Sequence, residues 1–169
     1  MRIHRGIISI AGCGLLLFTG SFSHAASSAH SAMEACTLLT TADASTALGV
    51  ASVPGKRLMP QDSTGCIWSN DPEARDSSRR LALNLHSLRA YGFAGNKTGT
   101  PITIEPVSGI GDEAFYQIYP NDAPPFIWFK KGNTAVSIRI LIGTKPRPWT
   151  VEQDKPKLAV LAKAAAAKL

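Results

Sequence analysis

Pro106-Val-Ser-Gly-Ile-Gly-Asp-Glu-Ala-Phe-Tyr116 is the stretch around which the chain reads as organised. Gly109 and Gly111 stand two apart and permit a tight turn with positive φ. Asp112 and Glu113 follow. The chain then enters Phe115, Tyr116, Ile118 and Tyr119, a run with the aromatic and β-branched composition of a strand. The residues after it read as a hairpin and a closing helix. Those before it read as a short helix and several strands.

Downstream, Pro120-Asn-Asp-Ala-Pro-Pro125 breaks the chain. Phe126–Lys131 and Thr134–Ile142 then flank Gly132-Asn133, a pair that tolerates positive φ in a two-residue hairpin turn. Val136, Ile138, Ile140 and Ile142 occupy one face of the second strand, and Ser137 and Arg139 the other. A face that apolar must cover a core. Residues 143–149 form a proline-broken connector. The chain closes in a helix that Asp154 can cap, with Pro156 in its first turn and an apolar stripe of Leu158, Leu161, Ala162, Ala165 and Leu169.

Upstream, Cys36–Gly49 reads as a helix capped by Thr40 or Thr41, with Asp43 in its first turn and Gly49 as the terminating glycine. Ala44, Ala47 and Leu48 give it an apolar stripe. Residues 50–59 hold a candidate strand interrupted by Pro54-Gly55, and residues 60–65 read as a loop. Cys66–Ser69 reads as a strand, residues 70–78 as an exposed polar loop, and Arg80–Leu88 as a half-buried strand by its strict alternation. A short helical turn fits residues 89–96. Residues 101–105 fit an edge strand or an extended linker. The whole is an α+β domain: a mainly antiparallel sheet of about five strands, with the N-terminal and C-terminal helices on one face.

The first 25 residues have the pattern of a secretory signal peptide: Arg2 and Arg5, an apolar run over residues 7–22, and a Ser23-His-Ala25 cleavage site. The competing reading takes Ile10-Ala-Gly-Cys13 as a lipobox with Cys13 lipidated, although the apolar run continues past it. Residues 26–34 then form a flexible mature N-terminus and residues 35–169 a single domain, periplasmic or secreted, with no transmembrane segment left after cleavage. Losing Arg2 and Arg5 lowers the net charge from +6 to +4. The remaining cations are scattered, so the charge speaks for solubility and against nucleic-acid binding. Cys36 and Cys66 remain as an even pair in an exported chain, which predicts a disulfide worth roughly 3–4 kcal/mol by loop closure.

No constellation amounts to an active site. After processing the histidines are His30 and His86, and no Gly-x-Ser-x-Gly elbow accompanies them. Gly109-Ile-Gly-Asp-Glu113 lacks the third glycine of a dinucleotide fingerprint, and Pro54-Gly-Lys-Arg57 lacks the P-loop residues. Asp71, Glu73 and Asp76 lack the glycine and final glutamate of a calcium loop, and no Cys or His stands at zinc-ligand spacing. We therefore expect no catalytic, cofactor-binding or metal-binding residues. Gly109, Gly111 and Asp112 are expected to form a structural turn, with Asp112 accepting amides of its own turn and Glu113 facing solvent. Trp68, Trp128 and Trp149 are core anchors or groove residues. Trp128 with Tyr119 and Phe126 makes the best candidate partner patch, on the face turned away from Ile127 and Phe129.

Cys36-Thr-Leu-Leu-Thr with Ala47-Leu-Gly49, Gly65-Cys-Ile-Trp68, Val107-Ser-Gly-Ile-Gly-Asp-Glu-Ala114, the Lys131-Gly-Asn hairpin and the closing Ala/Lys/Leu helix together resemble small exported bacterial envelope proteins of unknown function. Some of these are lipid-anchored, with one disulfide between the first helix and an early strand. The resemblance implies a non-catalytic envelope domain and carries over no catalytic residues. The expected function is a protein- or ligand-binding module whose partner and oligomeric state are unknown. The alternatives are a secreted hydrolase with a site not visible as a motif, and an inhibitor or immunity-type protein capping a secreted enzyme.

Overall fold

In the computed structural model, residues 33–73, 75, 78–96, 101–143 and 149–169 are described. Residues 1–25, read from the sequence as a signal peptide and including Cys13, fall outside them, as does His30. The sheet has seven antiparallel strands: β1 (Lys56–Met59), β2 (Asp62–Ser69), β3 (Arg79–His86), β4 (Thr103–Val107), β5 (Glu113–Ile118), β6 (Phe126–Lys131) and β7 (Thr134–Ile142). Their spatial order is β1-β2-β3-β7-β6-β5-β4. Two meanders, β1–β3 and β4–β7, are thus joined where β3 pairs with β7, in register from Arg79 opposite Ile142 to His86 opposite Ala135.

The sequence reading expected about five strands. β1 and β4 are the additions to the count, both at the sheet edges. Neither has a period-2 pattern, because an edge strand has fewer neighbours to cover it. All four β1 residues are exposed. β4 carries Pro106, whose missing donor is tolerated at an edge. β2 also starts four residues before the expected Cys66, so residues 62–65 are strand and not loop. The two-residue turn Pro60-Gln61 brings Met59 opposite Asp62 and closes that hairpin.

One sheet face is packed by α1 (Thr41–Leu48) and α3 (Val151–Ala166). Ile127, Phe129, Val136, Ile138, Leu81 and Leu83 are almost wholly buried beneath them, as alternation along β3, β6 and β7 requires. Thr40 caps α1: its hydroxyl accepts from the Asp43 N–H at 3.1 Å while the Asp43 carboxylate accepts from the Thr40 N–H at 2.8 Å. Gly49 ends the helix with a φ of 66°. α3 begins earlier than the sequence suggested. Thr150 is its N-cap, with the Gln153 side chain accepting from the Thr150 N–H at 2.9 Å. Asp154, expected as the cap, instead lies fully buried one turn in, and Pro156 lies inside the helix. The sequence points to Asp154 because it stands directly before the apolar stripe, whereas the true cap, Thr150, borders a proline-broken segment.

The Cys36–Cys66 disulfide is formed, with a Cα–Cα distance of 5.0 Å. It ties the 3-10 turn Ala35–Thr37 to β2 across 30 residues of chain. Glu34 reinforces the same junction through an ion pair to Arg57 at 2.9 Å.

The other sheet face has its own helix, α2 (Leu88–Ala94), capped by the Ser87 hydroxyl. The chain must travel from central β3 to edge β4, passing β7, β6 and β5. α2 lies on that crossover and packs on β6 and β7. Its seven residues span only about 10 Å, against roughly 30 Å for a seven-stranded sheet. Among the described residues, α2 is the one helix on this second face, and it leaves part of that face to strand side chains.

Candidate functional site

The opening stretch is a turn against the hairpin. Gly109 and Gly111 have φ values of 76° and 57°. Ile110 between them is buried in the main core. The Asp112 N–H donates to the Lys130 carbonyl at 2.8 Å, and the Asp112 carboxylate accepts from the Gly132 N–H at 2.8 Å. Asp112 thus braces the β6–β7 hairpin turn, twenty residues away, and not its own loop. That long-range partner is invisible to local sequence reasoning. Glu113 faces solvent, as expected, and on that surface pairs with the Lys130 ammonium at 2.6 Å.

The second face carries the aromatic side chains. Parity along the strands places Arg80, Ala82, Asn84 and His86 of β3 there. Ala135, Ser137 and Arg139 of β7, Phe126 and Trp128 of β6, and Phe115 and Gln117 of β5 join them. Trp128 does face away from the main core, and it is 9% exposed because α2 lies over it. Its ring lies 4.6 Å from His86, 6.5 Å from Phe115 and 6.4 Å from Phe126. Its indole N–H donates to the Gln117 side chain at 3.0 Å, and the Gln117 amide donates in turn to the Ala94 carbonyl at 3.0 Å. This two-bond relay fixes the end of α2 to the sheet. Tyr119 and Phe126, 6.0 Å apart, continue the aromatic line beyond the helix and are part-exposed. Tyr119 and Phe126 therefore offer surface, while Trp128 anchors them from within.

His86 lies beside this line, with its Nε2 2.9 Å from the Ser137 hydroxyl. Burial pushes the imidazole below its ordinary value of 6.5. Among the described residues no carboxylate orients His86 in the manner of a triad. No group of three or more potential metal ligands forms among the described residues. In the 70–78 loop, Arg75 binds Asp71 at 2.6 Å and Glu73 at 3.5 Å, while Asp76 lies outside the described residues.

Arg139 was read from the sequence only as a polar-face residue. It stands in register between Ala82 and Phe126, with its guanidinium 4.8 Å from the centre of the Phe126 ring. Burial holds its pKa down; nearby Tyr119 opposes that, and Arg80 adds to it. Its Nε is buried and lacks a hydrogen-bond partner among the described residues. The signal available in the sequence was an arginine in mid-strand, on the face opposite four consecutive alternate β-branched residues, Val136, Ile138, Ile140 and Ile142.

The remaining tryptophans are structural. Trp68 is 1% exposed in the main core, and Trp149 lies between the Arg79 guanidinium at 5.3 Å and the Lys157 ammonium at 3.4 Å. A shallow apolar groove runs between α1 and α3, lined by Ala47, Pro156, Val160 and Leu161. Its polar neighbours are already engaged, Asp43 in the α1 cap and Lys157 on Trp149. Among the described residues no helix is long and apolar enough to cross a membrane. No protein-family model matches the chain, and no curated protein or solved structure does either.

Proposed function

We propose that this is a non-catalytic, exported envelope protein that binds a protein partner through the part of the second sheet face not covered by α2. The observation that supports it is the aromatic line on that face. Tyr119 and Phe126 are part-exposed, and they continue from a Trp128 that is locked in place by Gln117 and flanked by His86 and Phe115. Rigid aromatic side chains held from behind lose little conformational freedom on binding, the property that makes such residues dominate interface energetics. A disulfide closing the N-terminal end of the domain suits an oxidising compartment.

The test is crosslinked affinity capture from an envelope fraction, read by mass spectrometry. It compares the wild type with a Tyr119→Ala/Phe126→Ala variant and with a Val160→Ser control on α3. A specific species retained by wild type and control but lost from the patch variant supports the proposal. Identical capture by all three removes this face from consideration. Turnover of a hydrolase substrate that survives in the pure protein would put an enzyme in its place.

A further inference from the structure

We propose that Arg139 reads a carboxylate, so that the partner presents an acidic segment of a protein to this sheet face. The inference rests on the reading of that face as a binding surface and names what would occupy it.

The argument begins with the guanidinium. It has five donors in a planar fork and no acceptor. Stacking on Phe126 satisfies the π-face of the group but none of its N–H edge. Nε is buried without a partner among the described residues, and Arg139 takes part in no ion pair among them. The partner whose geometry matches such a fork is a carboxylate, which can accept two parallel N–H bonds from it. Here the second-face positions of β3, β6 and β7 contain no aspartate or glutamate at all, and α2 contains none either. Glu113 at the far end of β5 is already held by Lys130 at 2.6 Å. Arg80 lies on the same face as Arg139 and bears on it electrostatically. At Arg139 this face therefore offers a cation with an open N–H edge, set among apolar and rigid side chains.

That combination selects among anions. A polyanion such as a nucleic acid wants a dense track of cations, and two arginines do not make one. Arginine beside tyrosine and phenylalanine is the composition of a protein-interface centre. A carboxylate from an acidic segment would take the open fork of Arg139, while its apolar neighbours would lie on Phe126 and Tyr119. Recognition of this kind is steered by charge and weakens with salt.

The experiment uses the oxidised, disulfide-bonded protein and NMR, observing the Arg139 Nε–Hε signal. The probes are a terminally blocked octapeptide alternating Glu and Tyr, its Lys and Tyr counterpart, and inorganic phosphate. The expected result is a saturable shift of Arg139, Phe126 and Tyr119 by the acidic peptide alone. Affinity should fall with added salt and fall at least about tenfold in Arg139→Gln, as loss of a charge-assisted pair implies. Arg139→Lys should fall between the two, because it keeps the charge and loses the fork; a melting curve of each variant checks the fold. Equal binding by Arg139→Gln, shifts centred elsewhere, or no saturable shift would overturn the proposal. An equal response to phosphate would replace the acidic protein segment with a free-anion site. The envelope capture separates the two levels of inference. If wild type captures nothing through this face, the binding reading itself fails. If capture succeeds and Arg139→Gln and salt leave it unchanged, only the acidic partner is lost.

Discussion

Replacing Gly111 by alanine should be far more damaging than making the same change two residues earlier. Gly111 has a φ of 57°, and a Cβ built on it would lie 2.3 Å from the Lys130 carbonyl oxygen and 3.3 Å from the Phe129 ring. Gly109 has a φ of 76°, and a Cβ there meets nothing within 4 Å. Both substitutions incur a left-handed backbone penalty of about 1–2 kcal/mol, offset by about 0.4–1 kcal/mol from the stiffer unfolded chain. Gly111→Ala must in addition push the turn off β6. That strains the 2.8 Å bond from the Asp112 N–H to Lys130 and the 2.8 Å bond from Gly132 to the Asp112 carboxylate. Each such bond contributes about 1 kcal/mol net, so Gly111→Ala should cost about 2–4 kcal/mol and Gly109→Ala about 1 kcal/mol or less. Urea unfolding of the oxidised protein, with the m-value checked for constancy, measures both. Equal losses for the two variants, or a loss below about 1 kcal/mol at Gly111, would refute the argument that close approach to Lys130 is what demands glycine there.

Reduction of the Cys36–Cys66 bridge, or Cys36→Ala, should lower stability by about 2–5 kcal/mol, with non-reducing peptide mapping showing the joined peptides; native free thiols would contradict it. Trp128→Ala should destabilise by about 3–5 kcal/mol, because it empties a site bounded by His86, Phe115 and Phe126 and strips Gln117 of its donor. A melting temperature within a degree or two of wild type would mean that α2 does not depend on this ring. His86 has a folded pKa below its ordinary 6.5, so the unfolded chain binds its proton first as pH falls. Stability should therefore be full above about pH 7 and decline as pH drops through the folded pKa. His86→Gln should flatten that part of a melting-temperature profile, and an unchanged slope would assign the decline to other groups.

Much of the fold was legible because it is written in local periodicity. The alternation in β3 and β7, the Gly132-Asn133 turn, the Thr40–Asp43 cap and Gly49 each act within a few residues. Chemistry alone decides them: side-chain direction along a strand, a hydroxyl facing an amide, a glycine where φ is positive. The even pair of cysteines left by the signal-peptide reading likewise pointed to the bridge before any geometry was known. The edge strands β1 and β4 were less legible, since half-covered chain needs no alternating pattern. The tertiary structure decided what depends on distant chain segments meeting. It joined the two meanders through β3 and β7, and so sent the crossover and α2 over the second face. It set Gly111 against Lys130, gave Asp112 a partner at Gly132, buried Trp128 beneath Ala94 and its neighbours, and left Arg139 stacked on Phe126 without a carboxylate among the described residues. Those contacts span twenty residues or more of chain or cross between strands. No local pattern encodes them, because what selects them is the packing of a whole sheet and not the conformation of any one segment.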